Sequence, residues 1–185
     1  VDDLQVCYLQ DDEHSLYHRF VAQMTSRWSV DDEGDISDLL GVEFHRGDGT
    51  VTLTQTAYIE KLVQEHLGVD DAVHAGNAST MPPGEKGYEQ TPCDSALIQA
   101  VADTLSDESP RETADVRRFQ SITGALLYCA TQTRPDVAYA VGMLCRCMAR
   151  PSAEVFACAC RVLRYLYRTR HLGLRFAASD KKLFG

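Results

Sequence analysis

Two hydrophobic periods alternate along this chain. Residues 3–9 alternate as a half-buried strand does, and Asp11-Asp12-Glu13 then supplies negative charge and a cap for a helix start. From there Leu16, Phe20 and Met24 recur every four residues, with Val21 and Trp28 nearby. That spacing predicts an amphipathic helix over about residues 12–27. Asp31-Asp32-Glu33-Gly34-Asp35 reads as a loop. Leu39 to His45 reads as a strand, Gly47-Asp48-Gly49 as a tight turn, and Thr50 to Thr54 as the β-branched returning strand. Thr56 to Leu67 predicts a second helix, with Ile59, Leu62, Val63 and Leu67 on one side and Gly68 as its stop.

The pattern then changes. Residues 69–110 hold four prolines, several glycines and many acids, and few large apolar residues. They read as a long linker with one short helix near Ser95–Leu105. Three closely spaced helices come next. The first runs from about Asp115 to Ala130, with Phe119, Ile122, Leu126 and Leu127 inward and Gly124 expected to allow close packing. The second begins at Thr133-Arg134-Pro135-Asp136, with Pro135 suited to a first helical turn, and carries Val137, Val141, Leu144 and Met148 inward. Pro151 stops it. Ser152 caps the third, which runs to about Arg170 and buries Val155, Ala159, Val162, Leu163 and Leu166. Leu174 to Ala177 and Leu183-Phe184 read as the two arms of a terminal hairpin. Strands and helices are thus segregated, which predicts an α+β fold and not a parallel α/β sheet.

Charge divides the chain more sharply than its total of −9 shows. Residues 1–109 carry five Lys and Arg against 22 Asp and Glu, a balance of −17; residues 110–185 carry 13 against five, +8. Arg161, Arg164 and Arg168 are spaced three and four apart and share one helix face, with Arg175 beyond. Two readings fit a basic half: contact with a polyanion, or a solvated helical surface. Four of the seven cysteines form Cys-x-Cys pairs within predicted helices. Residues two apart on a helix point to opposite sides, so reduced, core-packed thiols are expected and not a zinc site. No apolar run approaches the ~20 residues of a membrane span, and no leader resembling a signal peptide is present.

Val1-Asp2-Asp3 places two adjacent carboxylates at the lip of the first strand. They repel each other there, and such a couplet is a candidate ligand for a divalent cation. In context it resembles the tail of the Tyr-x-Asp-Asp box of reverse transcriptases. Leu39-Leu40-Gly41-Val42-Glu43, then Leu53-Thr54-Gln55 and Tyr58-Ile59-Glu60-Lys61-Leu62, resembles the stretch downstream of that box in copia-type LTR retrotransposons. Phe119 to Tyr128, Thr133-Arg134-Pro135-Asp136-Val137-Ala138-Tyr139-Ala140-Val141, and Arg161 to Leu166 with Gly173-Leu174 continue the series in order.

The resemblance implies a partial palm (strand, helix, hairpin) over residues 1–55 and a thumb-like helix over 56–68. The linker over 69–110, a helical thumb and connection bundle over 111–172, and a truncated start of the RNase H region over 173–185 complete the organisation. The implied parent is an RNA-directed DNA polymerase within a Pol polyprotein, and this stretch alone is expected to be inactive. Two magnesium ions, with manganese as the substitute, would activate the primer 3′ hydroxyl and neutralise the leaving pyrophosphate. Asp2 is the implied principal ligand and Asp3 the supporting one, with a further Asp expected upstream of residue 1. Leu40 and Gly41 are the implied primer grip. Arg161, Arg164, Arg168 and Arg175 are the implied phosphate contacts, which position a duplex without reading its sequence. Arg134 and Asp136 are expected instead to bond a helix start. The implied partners are an RNA/DNA template–primer duplex, a deoxynucleoside triphosphate, and the fingers and RNase H parts of the polyprotein. No membrane is expected, and the expected location is a cytoplasmic virus-like particle or the nucleus, not the secretory route. The alternatives are a non-catalytic remnant, a co-opted nucleic-acid or partner-binding domain, or a stand-alone acidic interaction domain.

Overall fold

The computed structural model describes residues 6, 16–31, 34–67, 91–107, 109 and 113–177. It divides into two compact units, Val1–Ser37 and Asp38–Gly185. The strand expected over 3–9 lies outside the described residues apart from Val6, which is exposed and unassigned.

In the first unit, the described helix α1 spans Leu16–Thr25. Its end is marked by two hydroxyls that turn back on the backbone, Thr25 to the Val21 carbonyl at 2.9 Å and Ser26 to the Gln23 carbonyl at 2.8 Å. None of its residues is buried, and Leu16 is 74% exposed.

The second unit holds a four-stranded antiparallel sheet in the order β1 (Asp38–Leu39), β2 (Val42–Gly47), β3 (Thr50–Thr54), β4 (Leu174–Ala177). The expected strand Leu39–His45 is therefore broken. Leu39 pairs with Val42, and Leu40 and Gly41 make a two-residue turn with φ of 53° and 77°. Positive φ at both central residues is the requirement of a tight hairpin whose twist matches its strands, so Gly41 outweighs the apolar run around it. The turn at Gly47-Asp48-Gly49 and the returning strand form as expected.

The first arm of the expected terminal hairpin forms, and its expected second arm, residues 183–184, lies outside the described residues. β4 pairs with β3, Leu53 opposite Leu174 and Val51 opposite Phe176. Gly173 makes this pairing possible. A Cβ there would meet the Leu53 carbonyl oxygen at 2.0 Å, a collision with backbone. Gly173→Ala is expected to detach β4 from β3; faster amide exchange at Thr50–Thr54, with α-helical circular dichroism retained, is the measurement.

Alternation sorts the sheet faces. Val42, Phe44, Val51, Leu53, Leu174 and Phe176 fall on one face by register, and Glu43, His45, Thr52, Thr54 and Arg175 on the other.

Five helices are described in this unit beside the sheet: α2 (Thr56–His66), α3 (Ser95–Ser106), α4 (Thr113–Gln132), α5 (Ala138–Cys145) and α6 (Ala153–Arg168). A 3₁₀ turn, Pro135–Val137, with Pro135 in its first position, leads into α5. α5 is shorter than the periodicity implies. After Cys145 the amides of Arg146, Cys147 and Met148 reach carbonyls three residues back, so the end tightens into successive turns.

Helix α6 packs against α2, α3, α4 and α5 and is the hub of the core. Val155, Ala159, Val162, Leu163 and Leu166 are all buried on it, as the pattern predicts. Around them lie Ile59, Leu62 and Val63 of α2, Leu97 and Val101 of α3, and Phe119, Ile122 and Leu126 of α4. Each fully buried large aliphatic or aromatic side chain contributes about 1.5–3 kcal/mol. α3 sits inside the predicted linker yet is a core element, because Leu97, Val101 and Thr104 share one buried stripe.

Two other expectations on α4 fail. Leu127 is 44% exposed, since the helix turns it one step past the buried face of Leu126. Gly124 is not a packing glycine: a Cβ there would meet nothing within 4 Å.

The described cysteines are free thiols, with Cys129, Cys147 and Cys158 buried. Burial pushes the Cys129 thiol up to about 12, which makes it inert at neutral pH. No helix among the described residues is long and apolar enough to cross a membrane.

Candidate nucleic-acid interface

The described part of the candidate site starts at the Leu40-Gly41 turn. A leucine at φ 53° is held in left-handed backbone that costs an L-residue about 1–2 kcal/mol. Two contacts hold it there, and a third braces the two side chains that make them. The Tyr128 hydroxyl, from α4, donates to the Leu40 carbonyl at 2.6 Å. The Tyr58 ring, from α2, lies against Gly41, at 3.5 Å from where a Cβ would stand. The two tyrosine rings meet edge to face, 5.2 Å between centroids. The Leu40 side chain itself points away from all of this and is 67% exposed.

Immediately behind the turn, Glu43 of β2 caps α2 from outside the helix. Its carboxylate accepts from the Ala57 amide at 2.8 Å and the Thr54 hydroxyl at 2.7 Å, and Thr54 in turn meets His45 Nε2 at 2.9 Å. Gln55, at the N-cap position, makes no cap bond; its buried carboxamide oxygen accepts from Thr133 Oγ1 at 2.8 Å instead. Burial alone would raise the Glu43 pKa, but the Ala57 amide, Thr54 and His45 outweigh it and hold the carboxylate below its usual range. Glu43 thus ties the strand that leaves the turn to the start of α2.

The basic residues of α6 are not an open charged face. Arg161, Arg164 and Arg168 are all half-buried because α6 is packed on several sides. Arg161 is spent on a fork to Asp94, whose second oxygen lies 2.7 Å from Nη2. Asp94 also caps α3, accepting from the Leu97 amide at 3.0 Å. Burial opposes ionisation of Asp94, but the Arg161 hydrogen bonds and charge prevail and leave its pKa lowered. Arg170 pairs with Glu60 at 2.9 Å and stacks on Tyr167 at 4.5 Å. Arg175 is exposed on β4, opposite Thr52. Basic residues of this half therefore serve in part as internal ties to α2 and α3.

Arg134 is fully buried. Its guanidinium forks onto Asp136 at 2.9 and 2.7 Å and bonds the Thr169 carbonyl at 2.9 Å and hydroxyl at 2.6 Å. The expected structural role is the observed one: the pair joins the start of the α5 segment to the end of α6. Asp2 and Asp3 lie outside the described residues.

Sequence reasoning had no way to single out Tyr58, Tyr128 and Glu43 as the residues that hold the turn. The available signal for the tyrosines was a phenol on an otherwise apolar helix face; for Glu43 it was an acid a short hairpin away from a helix start without a Ser, Thr, Asp or Asn cap.

Comparison with known proteins gives the chain its relatives. It is 32% identical to the putative transposon Ty5-1 protein of Saccharomyces cerevisiae over 98% of this chain and 51% of that protein. It is 30% identical to an uncharacterized mitochondrial protein of Arabidopsis thaliana over 98% of this chain and 65% of that protein. It is 29% identical to the retrovirus-related Pol polyprotein from transposon RE1 of Arabidopsis thaliana over 94% of this chain and 10% of that polyprotein. The chain thus spans about half to two thirds of the first two relatives. No profile of a protein family matches the chain, and no solved structure does.

Proposed function

We propose that this chain, whose homologues are Pol polyproteins of Ty5/copia-type retrotransposons, forms the palm hairpin, thumb and connection part of a reverse transcriptase. In this reading it holds a template–primer duplex while the parent polyprotein adds deoxynucleotides to the primer 3′ hydroxyl. The observation that carries the reading is the strained, anchored Leu40-Gly41 turn. In this reading the turn, set by its hairpin and braced by two tyrosines, presents an exposed leucine at its tip as a pre-formed contact surface. Its position in the sequence resembles that of a primer grip. The exposed Gly124, one turn before Tyr128 on α4, leaves helix backbone open to close approach from the same side. Metal chemistry belongs to Asp2 and Asp3 in this reading, and phosphate contacts to Arg164, Arg168 and Arg175.

In this reading Arg161 serves Asp94 and not phosphate, because the Asp94 carboxylate forks onto its guanidinium. The test is binding of an RNA/DNA duplex by fluorescence anisotropy across a salt series. Replacing Arg164, Arg168 and Arg175 by Gln is expected to weaken binding and flatten the salt dependence by about 0.9 per lost phosphate contact. Arg161→Gln is expected to lower the melting temperature and leave the slope unchanged. A wild-type chain that fails to bind the duplex overturns the reading.

A further inference from the structure

We infer that Tyr128 is a positioning residue for the Leu40-Gly41 turn, fixing where its tip meets the primer end; this rests on the template–primer reading. The turn and Tyr128 are 88 residues apart in sequence and belong to different elements, the β1–β2 hairpin and α4. The contact between them is a single hydroxyl-to-carbonyl bond of 2.6 Å, and the carbonyl it reaches is that of Leu40, whose backbone is in the left-handed region. A ring contact would have sufficed for packing, as the Tyr58 ring against Gly41 does. The hydroxyl does something the ring does not: it fixes the direction of the peptide after Leu40, and so the angle of the tip.

α4 has its buried stripe at Phe119, Ile122, Leu126 and Cys129, while Gly124 and Leu127 are exposed. Tyr128 lies one turn beyond Gly124 on that outward face and is half-buried there. A duplex lying along the exposed face would therefore be held in register with the tip through one residue. The primer end would be located relative to the helical unit and not by the hairpin alone.

Tyr128→Phe removes the hydroxyl and keeps the ring. The probes are a primer–template with a recessed 3′ end and a blunt duplex of the same length, each measured by anisotropy with the full chain. The preference for the recessed end is expected to fall about fivefold, the scale of one hydrogen bond. Affinity for the blunt duplex is expected to hold. Amide exchange over residues 39–42 is expected to quicken, with the melting temperature little changed. Equal losses on both duplexes, or unchanged exchange over 39–42, would assign Tyr128 to packing and overturn the inference. A wild-type chain without preference for the recessed end overturns the template–primer reading and the inference with it; a wild-type preference that survives Tyr128→Phe overturns the inference alone.

Discussion

Replacing Arg134 by Ala is expected to destabilise the helical unit by about 1.5–3 kcal/mol, the scale of hydrogen bonds to charged groups lost from a buried guanidinium whose partner carboxylate keeps partial exposure. The magnitude comes from the groups that the guanidinium holds. It is fully buried and makes four hydrogen bonds, two to the Asp136 carboxylate and two to Thr169 at the end of α6. The Tyr165 ring lies 5.7 Å from its carbon, and the Tyr165 hydroxyl completes the group by donating to Asp136 at 3.0 Å. Removing Arg134 leaves the Thr169 carbonyl without that partner and the Asp136 charge without its counter-ion. Lysine is not a substitute, because one ammonium cannot reproduce the planar fork onto a carboxylate and a carbonyl together. Urea unfolding followed by circular dichroism measures the loss; a change below about 1 kcal/mol would reduce the group to a surface pair.

The same group gives the stability a pH dependence with a fixed sign. Burial works against the charge on Asp136, but the hydrogen bonds and charge of Arg134 and the Tyr165 hydroxyl prevail, so its folded pKa is lowered. A lowered carboxylate pKa adds stability that is complete above the unfolded value of about 3.9 and is lost as pH falls through the folded value. Asp94 beside Arg161 behaves the same way. Acid unfolding of the wild type should draw on both carboxylates, and Arg134→Ala should remove the Asp136 share.

Asp2→Asn, made in a polyprotein that contains this chain, is expected to abolish primer extension and leave duplex binding intact. An amide keeps the shape of the side chain but gives up the charge that a divalent cation requires. Duplex binding, by contrast, is assigned in the proposed reading to the hairpin and the helices. Extension measured on a labelled primer, beside anisotropy on the same duplex, separates the two. Extension that survives Asp2→Asn removes Asp2 from the reaction. A parent that binds the duplex yet extends nothing supports the non-catalytic remnant.

Local pattern alone determined a large part of this molecule. The 3.6-residue period located α2 and α6 to within a few residues and picked out their buried faces. Ser152 marked the start of α6, accepting from the Val155 amide at 3.2 Å, and Pro135 marked the turn into α5. These signals lie within one or two turns of chain, where propensity, capping and side-chain period act. The ordered blocks of the sequence also pointed to the relatives that comparison found.

Tertiary structure decided the rest, because it depended on partners the local pattern does not reach. The ion pair that Arg161 makes turned on Asp94, 67 residues away. That β4 joins β3 turned on Leu53 standing beside Gly173. The left-handed turn at Leu40 is held by an oxygen 88 residues further on, and Arg170 closes onto Glu60 across 110. A short stretch of chain encodes its own period and caps; only the folded core chooses which distant charge, hydroxyl or strand edge meets them.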